Sequence, residues 1–199
     1  MFQPKQYHSL MIYHANNLER EQGIVHGFSS RIGGYSGAPY QGLNLGLTSG
    51  DRITDVQKNR IAFAGALGIK PEQVVGGMQV HGTNIARVTR ADGGKGFLSA
   101  NTALPDTDGL VTNESGVALM TLYADCVPVL FYDPYVQVIA VCHCGWRGTV
   151  NRMAAKTAGV MISEYGCSAE HILAAIGPSI SQQYYEVDDG VLTQFREAF

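Results

Sequence analysis

Apolar residues recur along this chain with two periods, and the changes of period predict its elements. After Thr54-Asp55-Val56-Gln57, helical spacing makes Val56, Ile61, Phe63, Ala64 and Leu67 available for burial until Gly68 and Pro71 stop the helix. Thr54 and Gln57 form a capping box, the first accepting from the N3 amide and the second reaching back. From Thr149, the stripe Val150, Met153, Ala154, Thr157, Ala158, Met161 and Ile162 predicts a second helix that Gly166 ends. Residues 188–199 predict a terminal helix. Short runs rich in β-branched and aromatic residues predict strands over 24–29, 77–88, 109–112, 117–123, 127–132, 137–143 and 172–176, with Asp133-Pro134 as a turn. Strands and helices mix without a regular β-α-β rhythm. The predicted fold class is α+β, a single domain over residues 1–199 with a mixed β-sheet flanked by helices.

Composition agrees with a compact globular chain. Of 199 residues, 45% are hydrophobic and only 16% charged, enough apolar surface for one sizeable core. The net charge of −3 has no basic stripe beside it, so nucleic acid is not an expected partner. No apolar run approaches the roughly 20 residues that span a bilayer, and no membrane partner is expected. The N-terminus lacks the apolar segment of a signal peptide, and a cytoplasmic location is expected. The four cysteines, Cys126, Cys142, Cys144 and Cys167, are not spaced as a disulfide framework, which suits buried, metal-binding or reactive thiols. Oligomeric state cannot be read from these features.

The candidate chemistry gathers in three segments. Tyr123-Ala124-Asp125-Cys126 and Cys142-His143-Cys144-Gly145-Trp146-Arg147-Gly148 each lie at an end of an apolar β-branched run, and His81 lies in Gly77-Met78-Gln79-Val80-His81-Gly82. One Cys and two His make a three-ligand metal site with an open position, the catalytic rather than the structural zinc pattern. Side chains alternate along a strand, so His143 should look into the site while Cys142 and Cys144 face the core. Asp125 could orient a metal-bound His through its second ring nitrogen, or cap a turn. The start of the Thr149 helix and Arg147 could receive an anion, or Trp146 could plug the core with Arg147 in a surface ion pair. The Gly-rich segment 31–47 could bind a ligand through its amides, or consist only of turns.

Taken together, several short motifs resemble the laccase-domain family, the polyphenol oxidoreductase or YfiH-type proteins. They include His26-Gly27-Phe28-Ser29 with Arg31 and Gly33-Gly34, Leu43-Asn44-Leu45-Gly46, Asn59-Arg60 and Gln79-Val80-His81-Gly82. Asp106-Thr107-Asp108-Gly109, Ala124-Asp125-Cys126, His143-Cys144-Gly145-Trp146-Arg147-Gly148 and Gly177-Pro178-Ser179-Ile180 follow in the family's order. The resemblance implies a zinc site of His81, Cys126 and His143 on a fold likened to cysteine-hydrolase toxins. It implies phosphorolysis of adenosine, inosine, guanosine or methylthioadenosine, and deamination of adenosine. The implied small-molecule partners are a purine nucleoside and phosphate. The family usually has Ala where Cys144 stands, Gly and Cys where Ser181-Gln182 stand, and a further helix and closing strand beyond Phe199; a sequence that stops at Phe199 is either a fragment or one without the terminal strand.

On that reading Cys126, His143, Asp125 and Arg60 are the candidate catalytic residues. Zinc would activate water for deamination and Asp125 could carry the proton. Arg60, Arg147 or Arg31 could hold phosphate against the ribose, and Asn44 could fix the ribose. The alternatives are a metal-free cysteine hydrolase with Cys126 as nucleophile and His143 as base, a copper-dependent polyphenol oxidase, and a hydrolase editing peptidoglycan precursors. Thiolate with imidazole also suits copper in vitro. Multicopper oxidation, however, needs many His ligands in His-x-His pairs, and six His here make no such pair. A zinc-stabilised binding module is disfavoured, because structural zinc is normally four-coordinate and closed.

Overall fold

A computed structural model describes residues 1–199. The chain opens with an antiparallel hairpin, β1 (Phe2–Tyr7) and β2 (Leu10–Ala15), to which β3 (Phe28–Ser29) adds an edge. Then come α1 (Ile53–Ala66), β4 (Val74–Gly76), β5 (Ile85–Arg87), β6 (Gly109–Thr112) and β7 (Ala118–Met120). The second half comprises β8 (Val127–Asp133), β9 (Val138–Cys144), α2 (Trp146–Val150), α3 (Met153–Tyr165), β10 (Leu173–Ile176) and α4 (Asp189–Ala198). The main sheet has the order β10-β8-β9-β6-β5, antiparallel except where β5 meets β6. β4 and β7 pair in parallel as a small second sheet. The fold is α+β, with mixed sheets flanked by four helices.

The central hairpin β8–β9 sets the geometry. Its register runs from Val127 opposite Cys144 to Asp133 opposite Val138. Asp133 closes the turn by accepting from the amides of Tyr135 and Val136. Period-2 alternation splits β9 in two. Val138, Ala140, Cys142 and Cys144 face α3, packing with Met153 and Met161. Ile139, Val141 and His143 face the opposite way; Val141 packs with Leu110 and Ile139 with Tyr132. Both sheet faces are therefore covered, which is why β8 and β9 read as near-continuous apolar runs.

Several expected elements changed. The Thr54–Gln57 capping box is absent. The helix begins two residues earlier, its N-cap is Arg52 with no side-chain cap, and Gln57 donates to the Leu98 carbonyl. An Arg52–Asp55 ion pair at 2.9 Å occupies that end instead. α1 buries Val56 and Ala64 but also Asn59 and Arg60, while Ile61 stays exposed. The single helix expected from Thr149 is two, because Arg152 takes the left-handed conformation (φ 63°) between them. The strand over 77–88 is interrupted: Gly77 keeps an isolated bridge to Leu104, 78–84 is irregular, and His81 sits there at φ 61° rather than on a strand. The strand over 24–29 shrinks to Phe28–Ser29. The N-terminal hairpin was not expected at all. No helix is long and apolar enough to cross a membrane.

Candidate metal centre beside the central hairpin

Three chain segments meet where β9 ends. β9 delivers His143, the residue before β8 delivers Cys126, and the loop between β4 and β5 delivers His81. The ligating atoms of His81, Cys126 and His143 all lie within 4.8 Å of one another. The two imidazoles meet edge to face with centroids 4.8 Å apart, and the Tyr123 ring lies 5.6 Å from His143. Cys142 and Cys144 are buried on the far face, as strand alternation requires. A Cβ on Gly145 would stand 2.9 Å from the His81 ring and 3.2 Å from the Cys126 sulfur, so only glycine lets the backbone approach here.

One carboxylate organises the site, and it is Asp108. Fully buried just before β6, its Oδ1 accepts from His143 Nδ1 at 2.8 Å and from the His81 amide at 3.0 Å. Its Oδ2 accepts from the amides of Val80 at 3.0 Å and Gly82 at 2.9 Å. Three successive amides held by one carboxylate explain how His81 keeps a left-handed backbone, a conformation that costs free energy unless its surroundings enforce it. Because a carboxylate brings no proton, His143 must donate from Nδ1, which leaves the Nε2 lone pair for the site. A second clamp is Gln79, whose side chain donates to the Leu122 carbonyl and accepts from the Leu122 amide at 2.8 and 2.7 Å. It ties the His81 loop to the segment carrying Cys126.

The electrostatics favour cation binding. Burial pushes the His143 pKa down despite Asp108, so the imidazole is neutral and able to ligate. Burial pushes Asp108 up, but the bonds from His143, Val80 and Gly82 outweigh it and hold the carboxyl below its usual range. Burial raises the Cys126 thiol, and Asp125, Asp108 and Cys144 raise it further. An empty site therefore holds a thiol, whereas a soft cation deprotonates it outright. A thiolate with two imidazoles, one fixed by a carboxylate, fits zinc and leaves a fourth position open. The centre lines a cavity of about 1340 Å³ whose walls include Phe28, Arg31, Tyr123 and Asp125.

Other expected site residues fall differently. Asp125 is exposed beside Cys126; the carboxylate on His143 is Asp108, which corrects the expected orienting role of Asp125. Arg60 is 2% exposed and spent on backbone: Nε donates to Leu45 O at 2.6 Å, and Nη1 to Gly96 O and Phe97 O at 2.7 Å each. It straps two loops to α1 instead of presenting a free guanidinium. Asn44 is equally committed, donating to Ser49 and Asp51 and accepting from the Gly46 amide. Arg147 is exposed, stacks 4.2 Å over the Trp146 ring and does not line the cavity. Arg31 does line it, with a single bond from Nη2 to Gln41 O at 3.2 Å. Asp108 and Gln79 lie in motifs visible in the sequence. Their roles were missed because neither has a ligand-like spacing to His143 or Cys126.

A family model described as "Multi-copper polyphenol oxidoreductase laccase" matches residues 25–199. Purine nucleoside phosphorylase YlmD of Bacillus subtilis is 38% identical over 182 residues, covering 92% of this chain and 66% of that protein. Purine nucleoside phosphorylase LACC1 of Homo sapiens is 36% identical over 161 residues, 79% of this chain and 35% of that protein. The crystal structure of YlmD from Geobacillus stearothermophilus superposes with a TM-score of 0.91 at 37% identity, covering 98% of this chain and 71% of that one. The chain thus spans about two thirds of the length of these bacterial relatives.

Proposed function

The chain belongs to the multi-copper polyphenol oxidoreductase laccase family, and from that premise we propose that it is a metal-dependent purine nucleoside phosphorylase with its centre at His81, Cys126 and His143. The observation that carries the reading is the convergence of these three ligands, two of them clamped by Asp108, on a cavity of about 1340 Å³. Relatives over most of the chain are named purine nucleoside phosphorylases, which supports the substrate class. The donor set favours zinc. A zinc ion there would supply Lewis-acid polarisation of a substrate atom in the open position.

The chain's own residues carry the remaining work. Phosphorolysis breaks the bond between ribose C1′ and the purine, joins C1′ to a phosphate oxygen, and releases the purine with a proton. Arg31, whose guanidinium makes a single hydrogen bond on the cavity wall, receives phosphate. Asp125, solvent-accessible beside Cys126, carries protons to and from the site. Phe28 and Tyr123, with ring centroids 5.9 Å apart, wall the cavity next to His143 and keep water from the reacting face. The same centre would deaminate adenosine with water in place of phosphate. Adenosine, inosine, guanosine and methylthioadenosine are the nucleosides to test.

A second reading has one specific observation behind it. Cys126, His143 and Asp108 stand in the order nucleophile, base, orienting carboxylate, which is the layout of a cysteine hydrolase. Against it, burial and two carboxylates keep the Cys126 thiol protonated, and His81 would be surplus. Incubating metal-loaded protein with each nucleoside, with and without phosphate, decides the matter. Ribose 1-phosphate formed only with phosphate supports phosphorolysis. No nucleoside consumed under any condition overturns the proposal.

A further inference from the structure

The face of β9 turned away from the cavity carries a feature that the metal centre does not use. Cys142 and Cys144 point the same way into the core, their sulfurs are 3.5 Å apart, and neither is in a disulfide. Two residues along a strand place Cα atoms about 6.4–6.8 Å apart, the upper end of the span a disulfide bridges. Only about 1.5 Å separates the present sulfur contact from the roughly 2.05 Å of a bond.

We propose that Cys142 and Cys144 are an oxidisable thiol pair, closed to an intrastrand disulfide by a hydroperoxide, and that closure weakens the metal grip of the residue between them, His143. Cys144 is 7% exposed and Cys142 not at all, so oxidation begins at Cys144. Its sulfur attacks the peroxide, an S–O bond forms, the O–O bond breaks, and water or an alcohol leaves. The Cys142 thiol then displaces the sulfenic oxygen, an S–S bond forms, and water leaves. The two thiols lose two electrons and two protons, and the hydroperoxide takes both.

The consequence follows from position. His143 lies between the two cysteines on the opposite face. Gly145, immediately after Cys144, is the residue with no space for a Cβ against His81 and Cys126. Drawing two sulfurs together by about 1.5 Å shortens and twists this stretch, whereas metal–ligand distances tolerate only about 0.2 Å. A closure near the edge of allowed disulfide geometry is also readily reduced, as a reversible device requires. The effect on metal rests on the metal reading above; disulfide formation does not.

The test treats the protein, as purified with its metal, with hydrogen peroxide. Free thiols, intact mass and a peptide map are measured alongside released metal, before and after dithiothreitol. Expected are loss of two thiols and two hydrogens, a peptide linking Cys142 to Cys144, metal release in step, and reversal of both by dithiothreitol and added metal. Cys144→Ala should form no such disulfide and keep its metal at the same peroxide dose. Cys142→Ala should do the same and stands in if the first variant fails to fold. Four surviving thiols, or sulfinic and sulfonic acids in place of the disulfide, overturn the pair. Metal lost as fast from Cys144→Ala as from wild type overturns the coupling and points to Cys126 oxidised directly. Protein purified without metal sinks the metal reading instead, and the mass and thiol measurements still decide the pair.

Discussion

Replacing Asp108 with Asn tests the organisation of the site through a change of one atom. The wild-type carboxylate accepts four hydrogen bonds, two per oxygen, at 2.8 to 3.0 Å in a fully buried place. An amide has one accepting end and one donating end. If the NH₂ end faces Val80 and Gly82, both amides lose their acceptor; if it faces His143 and His81, the His81 amide loses its acceptor while His143 can change tautomer and accept at Nδ1, so one or two N–H groups lose a partner on this buried side chain. At about 1–3 kcal/mol per unsatisfied group, the cost is roughly 1–6 kcal/mol. For a chain of this length, each kcal/mol lowers Tm by about 2–4 °C, so the drop should fall between roughly 2 and 24 °C. Orienting partners of metal-bound His are typically worth about 10–100-fold in metal affinity, and the variant should lose that much. Thermal unfolding of metal-free protein reads the first effect, and competition with a chromophoric chelator reads the second. Asp125→Asn, at an exposed residue, should move neither Tm nor metal affinity. A D108N protein that melts within 1 °C of wild type and holds metal equally well would refute the clamp.

Arg60→Met should cost about 4 kcal/mol or more in denaturant unfolding, from three charge-assisted bonds to carbonyls; a raised phosphate KM at undiminished stability would return Arg60 to the substrate. Arg31→Gln should raise the phosphate KM by roughly 10-fold or more while Tm holds, and an unchanged phosphate KM would remove Arg31 from the site. His14 and His26 have pKa values pushed below 6.5 by burial, and His26 Nε2 must stay unprotonated to accept from the Ala15 amide at 2.8 Å. Below pH 6.5 the unfolded chain therefore takes up protons that the folded chain resists, so stability is complete above that pH and falls as pH drops through the lowered folded values. Tm should fall between about pH 7 and pH 5, less steeply in His26→Gln, and a flat profile in wild type would contradict the burial argument.

The residues that meet at the centre were visible in the sequence because each closes a short motif next to a β-branched run, and strand alternation was enough to separate His143 from Cys142 and Cys144. What could not be read was whatever depends on backbone from elsewhere in the chain. Asp108 looks like one of two aspartates in a turn; its role exists only because the amides of residues 80–82 fold over it. Asp125, adjacent to Cys126 in sequence, drew the role that Asp108 has in space. Arg60 looked like a phosphate ligand because a cation in a polar motif gives no sign that three carbonyls surround it. The stripe after Thr149 has the right helical period, yet Arg152 turns left-handed within it, and apolar spacing does not register a single dihedral. The N-terminal hairpin escaped because β1 is short, mostly polar and exposed on both faces, so it shows no alternation.

Titration of activity against metal shows whether turnover depends on an ion held by His81, Cys126 and His143. Chelator-stripped protein would receive zinc in increments, with ribose 1-phosphate formation from inosine and phosphate measured at each step. Expected are no activity without metal, a linear rise that breaks at one equivalent per chain, and no rise in Cys126→Ala or His81→Ala, which should not retain the ion. Full turnover in verified metal-free protein, or a Cys126→Ala protein that still binds one equivalent and is restored by it, would overturn a metal-dependent phosphorylase centred on these three ligands.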